Sequence, residues 1–87
     1  MYLHLGYGAA VRWDEVVGVF DLDNSSQSHL TRAFLTAAEK RGQVRSAAEE
    51  ELPKSFVVCS GSTGQTVWLS QLNPSTLFRR SEGTGIE

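Results

Sequence analysis

Hydrophobic positions along the chain fall into short runs with two different periods. Residues 2–5 alternate, Tyr2 and His4 on one side and Leu3 and Leu5 on the other, which predicts a half-buried strand. Gly6-Tyr7-Gly8 predicts a turn, and Ala9–Arg12 a returning strand. Trp13–Glu15 fits a single turn. Residues 16–22 are almost continuously apolar, the pattern of a strand buried on both faces. Gly18 inside that run predicts a bulge or close packing by a neighbour.

The period then changes. Residues 29–41 predict a helix in which Leu30, Ala33, Phe34 and Ala37 form one stripe at 3.6 spacing. Arg32, Thr36 and Glu39 lie opposite. Leu35 falls off the stripe, as an exposed leucine or part of a subunit contact. The polar link Asp-Asn-Ser-Ser-Gln-Ser supplies capping side chains, with Ser28, or alternatively Ser25 or Ser26, as the N-cap. Lys40 and Arg41 suit the negative end of the helix dipole, and Gly42 suits the left-handed position that ends a helix.

Residues 43–47 predict a short strand, and Glu49-Glu50-Glu51 a solvated loop. Residues 55–60 and 65–70 read as two more strands, joined by Gly61-Ser62-Thr63-Gly64 as a four-residue hairpin loop. Asn73-Pro74 is an N-cap followed by proline at the first helical position, where a missing N–H costs nothing. A short helix follows to about Arg80, and residues 81–87 form a flexible tail. Strands, helix, strands, helix is an α+β order. It describes one domain over residues 1–80.

Composition narrows the class. A chain of 87 residues builds a modest core. Several short strands that are apolar on both faces overload so small a chain, which predicts that subunits of a homo-oligomer cover part of the surface. No apolar run approaches a membrane span, and the N-terminal residues lack the pattern of a signal peptide. The single cysteine, Cys59, lies in the apolar run Phe-Val-Val-Cys and predicts a buried, inert thiol. A reducing, cytoplasmic compartment fits. A net charge of -2 argues against a strongly basic nucleic-acid binder.

Each candidate for chemistry has a plainer reading. Val-Phe-Asp-Leu-Asp resembles the opening motif of haloacid-dehalogenase-type phosphatases, with Asp21 as nucleophile and Asp23 as acid/base. That chemistry needs a bound Mg²⁺ held by further carboxylates, and a cation on the transferring group. No aspartate follows Asp23, and the chain is too short for the required sheet. Asp21, Asp23 and Asn24 read as a strand end and turn. Gly6 and Gly8 echo a dinucleotide fingerprint, but Val11 stands where its third glycine belongs. His4 and His29 have no partners at metal-ligand spacing. Ser60, Ser62 and Thr63 have no evident base. Trp13 and Trp68 read as core or interface. No catalytic, cofactor or metal site is assigned.

Five blocks together resemble one family. Met-Tyr-Leu-His-Leu-Gly-Tyr-Gly, the stretch Asp14 to Asn24, the stretch Thr31 to Gly42, Pro-Lys-Ser-Phe-Val-Val, and the stretch Leu69 to Arg80 stand in the order and spacing of the RemA/RemB family of bacterial extracellular-matrix (biofilm) regulators. The resemblance covers residues 1 to about 80 and is closer to the RemB branch. It implies a compact α+β subunit that assembles into a ring-like homo-oligomer and regulates transcription without catalysis. In the RemA branch DNA binding depends on arginines, at places that Glu15, Glu51 and Leu52 occupy here. Carboxylates there repel phosphates, so no DNA-binding residue is carried over. Lys54 and Arg45 are the cations left near the loop of Glu51 and Leu52, and neither replaces a paired arginine; on an assembled ring a surface of Lys54, Arg79 and Arg80 is the candidate nucleic-acid contact. The alternative is a protein-interaction module that modulates a DNA-binding relative.

Overall fold

The computed structural model of the protein describes residues 2–6, 8–22, 29–48 and 52–79. Strands β1 (Tyr2–Gly6) and β2 (Ala9–Arg12) pair antiparallel as a hairpin. The alternation in β1 holds: Leu3 and Leu5 are buried while Tyr2 and His4 face solvent. A 3-10 turn, Trp13–Glu15, then leads into β3 (Val16–Asp21). The chain continues through helix α1 (His29–Lys40), β4 (Val44–Ser46), β5 (Ser55–Gly61) and β6 (Gly64–Ser70), and closes with a short helix, α2, over residues 74–79. The strands β3, β5, β6 and β4 form one sheet in that order, antiparallel except for β4, which runs parallel to β6. This is the expected α+β class.

The sheet separates two hydrophobic clusters. Along β5, Val57 and Cys59 point to one face and Phe56 and Val58 to the other, as a strand's period of two requires. On the first face Leu3, Leu5 and Val11 of the hairpin, Ala47, and Leu77 of α2 complete the cluster. On the second face α1 covers Phe56, Val58 and Val67 with Ala38, Phe34 and Leu35. The molecule is therefore three layers: hairpin with α2, sheet, and α1.

Helix ends follow the capping rules. After α1, Gly42 takes φ +71°. Its N–H donates to Glu39 O at 3.0 Å, and the Gln43 N–H donates to Ala38 O at 3.0 Å. This pair of hydrogen bonds is the Schellman motif. Asn73 caps α2, its Oδ1 accepting from the Thr76 N–H at 2.9 Å. Two buried serines stitch the layers. Ser70 Oγ donates to Leu5 O at 2.8 Å, and Ser55 Oγ donates to Leu72 O at 2.6 Å.

Four expectations need correction. β3 is not buried on both faces: it is an edge strand, and Val17 is 67% exposed. The strand carrying the two-faced burial is β5. The inward stripe of α1 is Thr31, Phe34, Leu35 and Ala38, so Leu35 packs while Leu30 is 83% exposed. The helix rotates to this side because Phe34 must meet the ring of Phe56, 6.3 Å away between centroids. The β5–β6 loop holds two residues rather than four, since Gly61 pairs with Gly64. Gly64 there has φ +116°, which L side chains rarely adopt. Finally, α1 ends at Lys40 and β4 spans three residues, both shorter than expected. The expected turn at Tyr7, the N-cap at Ser28, Ser25 or Ser26, the Asp23-Asn24 turn, the Glu49–Glu51 loop and the tail at 81–87 lie outside the described residues.

Leu5→Ala should cost roughly 2–5 kcal/mol, because it removes a fully buried side chain and leaves a cavity in the hairpin-side cluster. Leu52→Ala, on an 87% exposed side chain, should stay within about 0.5 kcal/mol of wild type. Urea denaturation of the two variants checks both.

Candidate functional site

The bulge in β3 determines which of its side chains face outward toward α1. The register with β5 shifts between Val16 and Gly18, so one extra residue enters β3. Parity along the strand is broken there. Val16 and Val19 join the hairpin-side cluster, while Val17 and Phe20 emerge together on the α1 side. Gly18 makes room for this: a Cβ there would stand 2.8 Å from the Phe20 ring. That ring stacks on Phe56 at 5.0 Å and 19°, an arrangement worth about 0.5–1.5 kcal/mol beyond area burial.

The result is an open apolar groove of about 380 Å³ between β3 and α1. Val17, Phe20, Leu30, Phe34, Phe56 and Val58 line it, with Thr31 and Gln65 as its polar members. No lining residue is ionisable. Val17, Phe20 and Leu30 are exposed large hydrophobic side chains, at 67%, 41% and 83%. Nothing in the sequence reading pointed to this groove. The available signal was Gly18 between Val17 and Phe20, two bulky residues three apart in a strand.

The predicted contact residues lie on separate elements. Lys54 is exposed just before β5, and its backbone is fixed: its N–H donates to Ser70 O and its carbonyl accepts from the Leu22 N–H. Arg79 is exposed at the end of α2, whose Leu77 is anchored in the core. Arg80 lies outside the described residues. Among those residues the ion pair is Arg12 with Asp14, at 3.0 Å on the surface. The hydrogen bond from Arg12 lowers the Asp14 carboxyl below its ordinary value, and the same contact raises Arg12. Lys54 and Arg79 join no ion pair among the described residues.

Of the places where the resemblance puts arginines, Glu15 is half-buried and lies against the end of β5. A Cβ on Gly61 would come within 3.1 Å of its carboxylate. Leu52 projects freely, and Glu51 lies outside the described residues. Asp21 ends β3 opposite Ser55. His4 is exposed on β1, and His29 opens α1 with its Nδ1 3.5 Å from the Arg32 guanidinium. Trp13 and Trp68 pack against the hairpin-side cluster. No described group of three or more His, Cys, Asp or Glu side chains is placed to hold a metal ion, and no described helix is long and apolar enough to cross a membrane.

Cys59 is buried, as its apolar run predicted. Burial, and secondarily the nearby Glu15 carboxylate, pushes its thiol above the ordinary value of 9.0.

No family model matches the chain. The chain is similar to extracellular matrix regulatory protein B of Bacillus subtilis (strain 168), at 35% identity over 82 residues, which are 94% of this chain and 91% of that protein. Identity at that level over nearly the whole of both chains places this protein in the RemA/RemB family of extracellular-matrix regulatory proteins.

The folded protein holds the Cys59 proton to higher pH than the unfolded chain does. Stability should therefore fall as pH climbs past the ordinary thiol value, because the unfolded chain ionises first. Cys59→Ala should lack that part of the slope in denaturation series from pH 7 to 10. The native thiol should also react with a disulfide reagent far more slowly than the denatured one.

Proposed function

We propose that this protein is a non-enzymatic, cytoplasmic regulator of extracellular-matrix production that works as a homo-oligomer. The observation that carries this is the similarity to the Bacillus subtilis regulatory protein over nearly the full length of both chains. A ring-like assembly follows the family resemblance, and the exposed apolar side chains of β3 and α1 support self-association. In such an assembly Lys54, Arg79 and Arg80 recur once per subunit. Repetition multiplies a weak contact into useful avidity for a long polyanion such as DNA.

A second reading is favoured by Glu15 and Leu52. A carboxylate and a projecting leucine, toward opposite ends of β5, stand where the resemblance puts cations; both substitutions disfavour phosphate and favour a protein partner, a DNA-binding relative.

Gel shifts at low salt separate the two. Direct binding predicts a retarded complex with a steep salt dependence. The triple variant Lys54→Ala, Arg79→Ala, Arg80→Ala should then lower the slope of log affinity against log salt by roughly 0.9 for each phosphate that is no longer neutralised. An assembled protein that shifts no DNA, yet retains a regulatory protein from extracts of its native host, points to the second reading. Replacing Glu15, Glu51 and Leu52 by arginine should in that case create DNA binding.

A further inference from the structure

We infer that copies of this chain join head to tail through the two open edges of the sheet, β4 of one copy lying parallel beside β3 of the next. The inference rests on the oligomeric reading above and assigns the contact a place. The sheet order leaves β3 and β4 as its opposite edges. β3 is antiparallel to β5, β5 is antiparallel to β6, and β4 is parallel to β6, so the two edge strands run the same way. A joint between unlike edges, repeated by rotation about an axis along the strands, closes into a ring, whereas a joint between like edges stops at a dimer.

The hydrogen bonds already made fix which backbone groups are on offer. The Leu22 N–H donates to Lys54 O, so Leu22 and Phe20 turn toward β5 and Val19 turns outward. The Val67 N–H donates to Gln43 O and the Ala47 N–H to Leu69 O, so Arg45 turns toward β6 and Val44 and Ser46 turn outward. With Arg45 set opposite Val19, a parallel ladder takes the Val19 N–H to Val44 O and the Ser46 N–H to Val19 O. A bulge and a short strand both keep foreign strands away from a sheet edge. Here the bulge spares Val19–Asp21, a regular stretch as long as the three-residue β4.

Charge selects unlike edges. Val19 packs with the hairpin-side cluster, and Asp21, two residues on, stands on the same face. Arg45, in register with Trp68 of that cluster, is exposed on that face of β4. Across the joint its guanidinium reaches the Asp21 carboxylate on the diagonal, and a carboxylate accepts more than one partner. The flanks match in the same direction: Glu15 precedes β3, and Lys40 and Arg41 precede β4. Lys40, Arg41 and Arg45 join no ion pair among the described residues. Each side also holds one opposite charge, Arg12 by β3, which Asp14 engages, and Glu39 by β4. Joining β3 to β3 would gather acid against acid, and β4 to β4 base against base, which costs affinity.

Sedimentation of wild type, Asp21→Arg, Arg45→Asp and the double variant tests this, with thermal melting as the check on folding. Each single reversal sets like charges across the joint and should weaken self-association about tenfold or more. The double variant, and an equal mixture of the two single variants, should assemble like wild type. Ser46→Pro removes an N–H that faces away from β6, so it should melt near wild type yet run as a monomer; it carries the test if Asp21→Arg does not fold. If wild type is a monomer at every concentration, the oligomeric reading itself is overturned and this inference falls with it. If wild type assembles and Arg45→Asp and Ser46→Pro assemble equally well, the inference alone is overturned. A wild type that stops at a closed dimer, or a double variant that folds and stays monomeric, overturns it in the same way.

Discussion

β5 must be buried on both faces, and the rest of the structure is arranged to meet that demand. No single layer covers both Val57 with Cys59 and Phe56 with Val58, so the chain builds one cover from its N-terminal hairpin and another from α1. Removing an aliphatic side chain of this size from water contributes about 1.5–3 kcal/mol each. Losing either cover exposes half of that set at once, which ties the N-terminal residues to the stability of a strand more than fifty positions away.

The two buried serines show how polar groups are tolerated at these seams. Ser55 and Ser70 face each other across β5 and β6, both fully buried, and each donates its hydroxyl to a carbonyl that ends a neighbouring segment. Ser70 Oγ also accepts from the Leu72 N–H at 3.1 Å. Small hydroxyls suit this role: they satisfy groups that would otherwise be desolvated without partners, at a cost of a few kcal/mol. Gln43 and Gln65 make a similar clasp nearer the surface, Nε2 of Gln65 donating to Oε1 of Gln43 at 3.1 Å.

Local patterns in the sequence were the legible ones. β1 alternates cleanly, Gly42 and Asn73 cap where their chemistry says they should, and the collinear blocks were enough to suggest the family. Orientation was less legible. In α1 the stripe through Leu30, Ala33, Phe34 and Ala37 and the stripe through Thr31, Phe34, Leu35 and Ala38 overlap at Phe34. The first contains at least as many apolar residues, yet the second wins, because the face of β5 beneath it fixes which way the ring of Phe34 points. In β3 a single inserted residue reverses parity, and a continuous apolar run hides that reversal. The groove arises from both effects together, so Gly18 signalled the bulge in β3 but not the groove that the bulge and α1 make between them. The candidate contact residues Lys54 and Arg79 were visible as cations, one just before a strand and one in the closing helix, and the structure keeps them on those separate elements.

The hydrogen bond from Ser70 to Leu5 spans 65 positions of the chain. On the ribosome this sets an order of events. When β1 and β2 emerge, Val57, Cys59 and Leu77, the residues they will pack against, have not yet been synthesised. The hairpin can form by itself, but its docking has to wait until nearly the last helix has left the exit tunnel. Through most of translation Leu3 and Leu5 therefore lack their final partners. Docking of the amino end thus requires residues as far along as Leu77 to have emerged, a long-range closure of the kind that slows folding and leaves apolar surface exposed meanwhile.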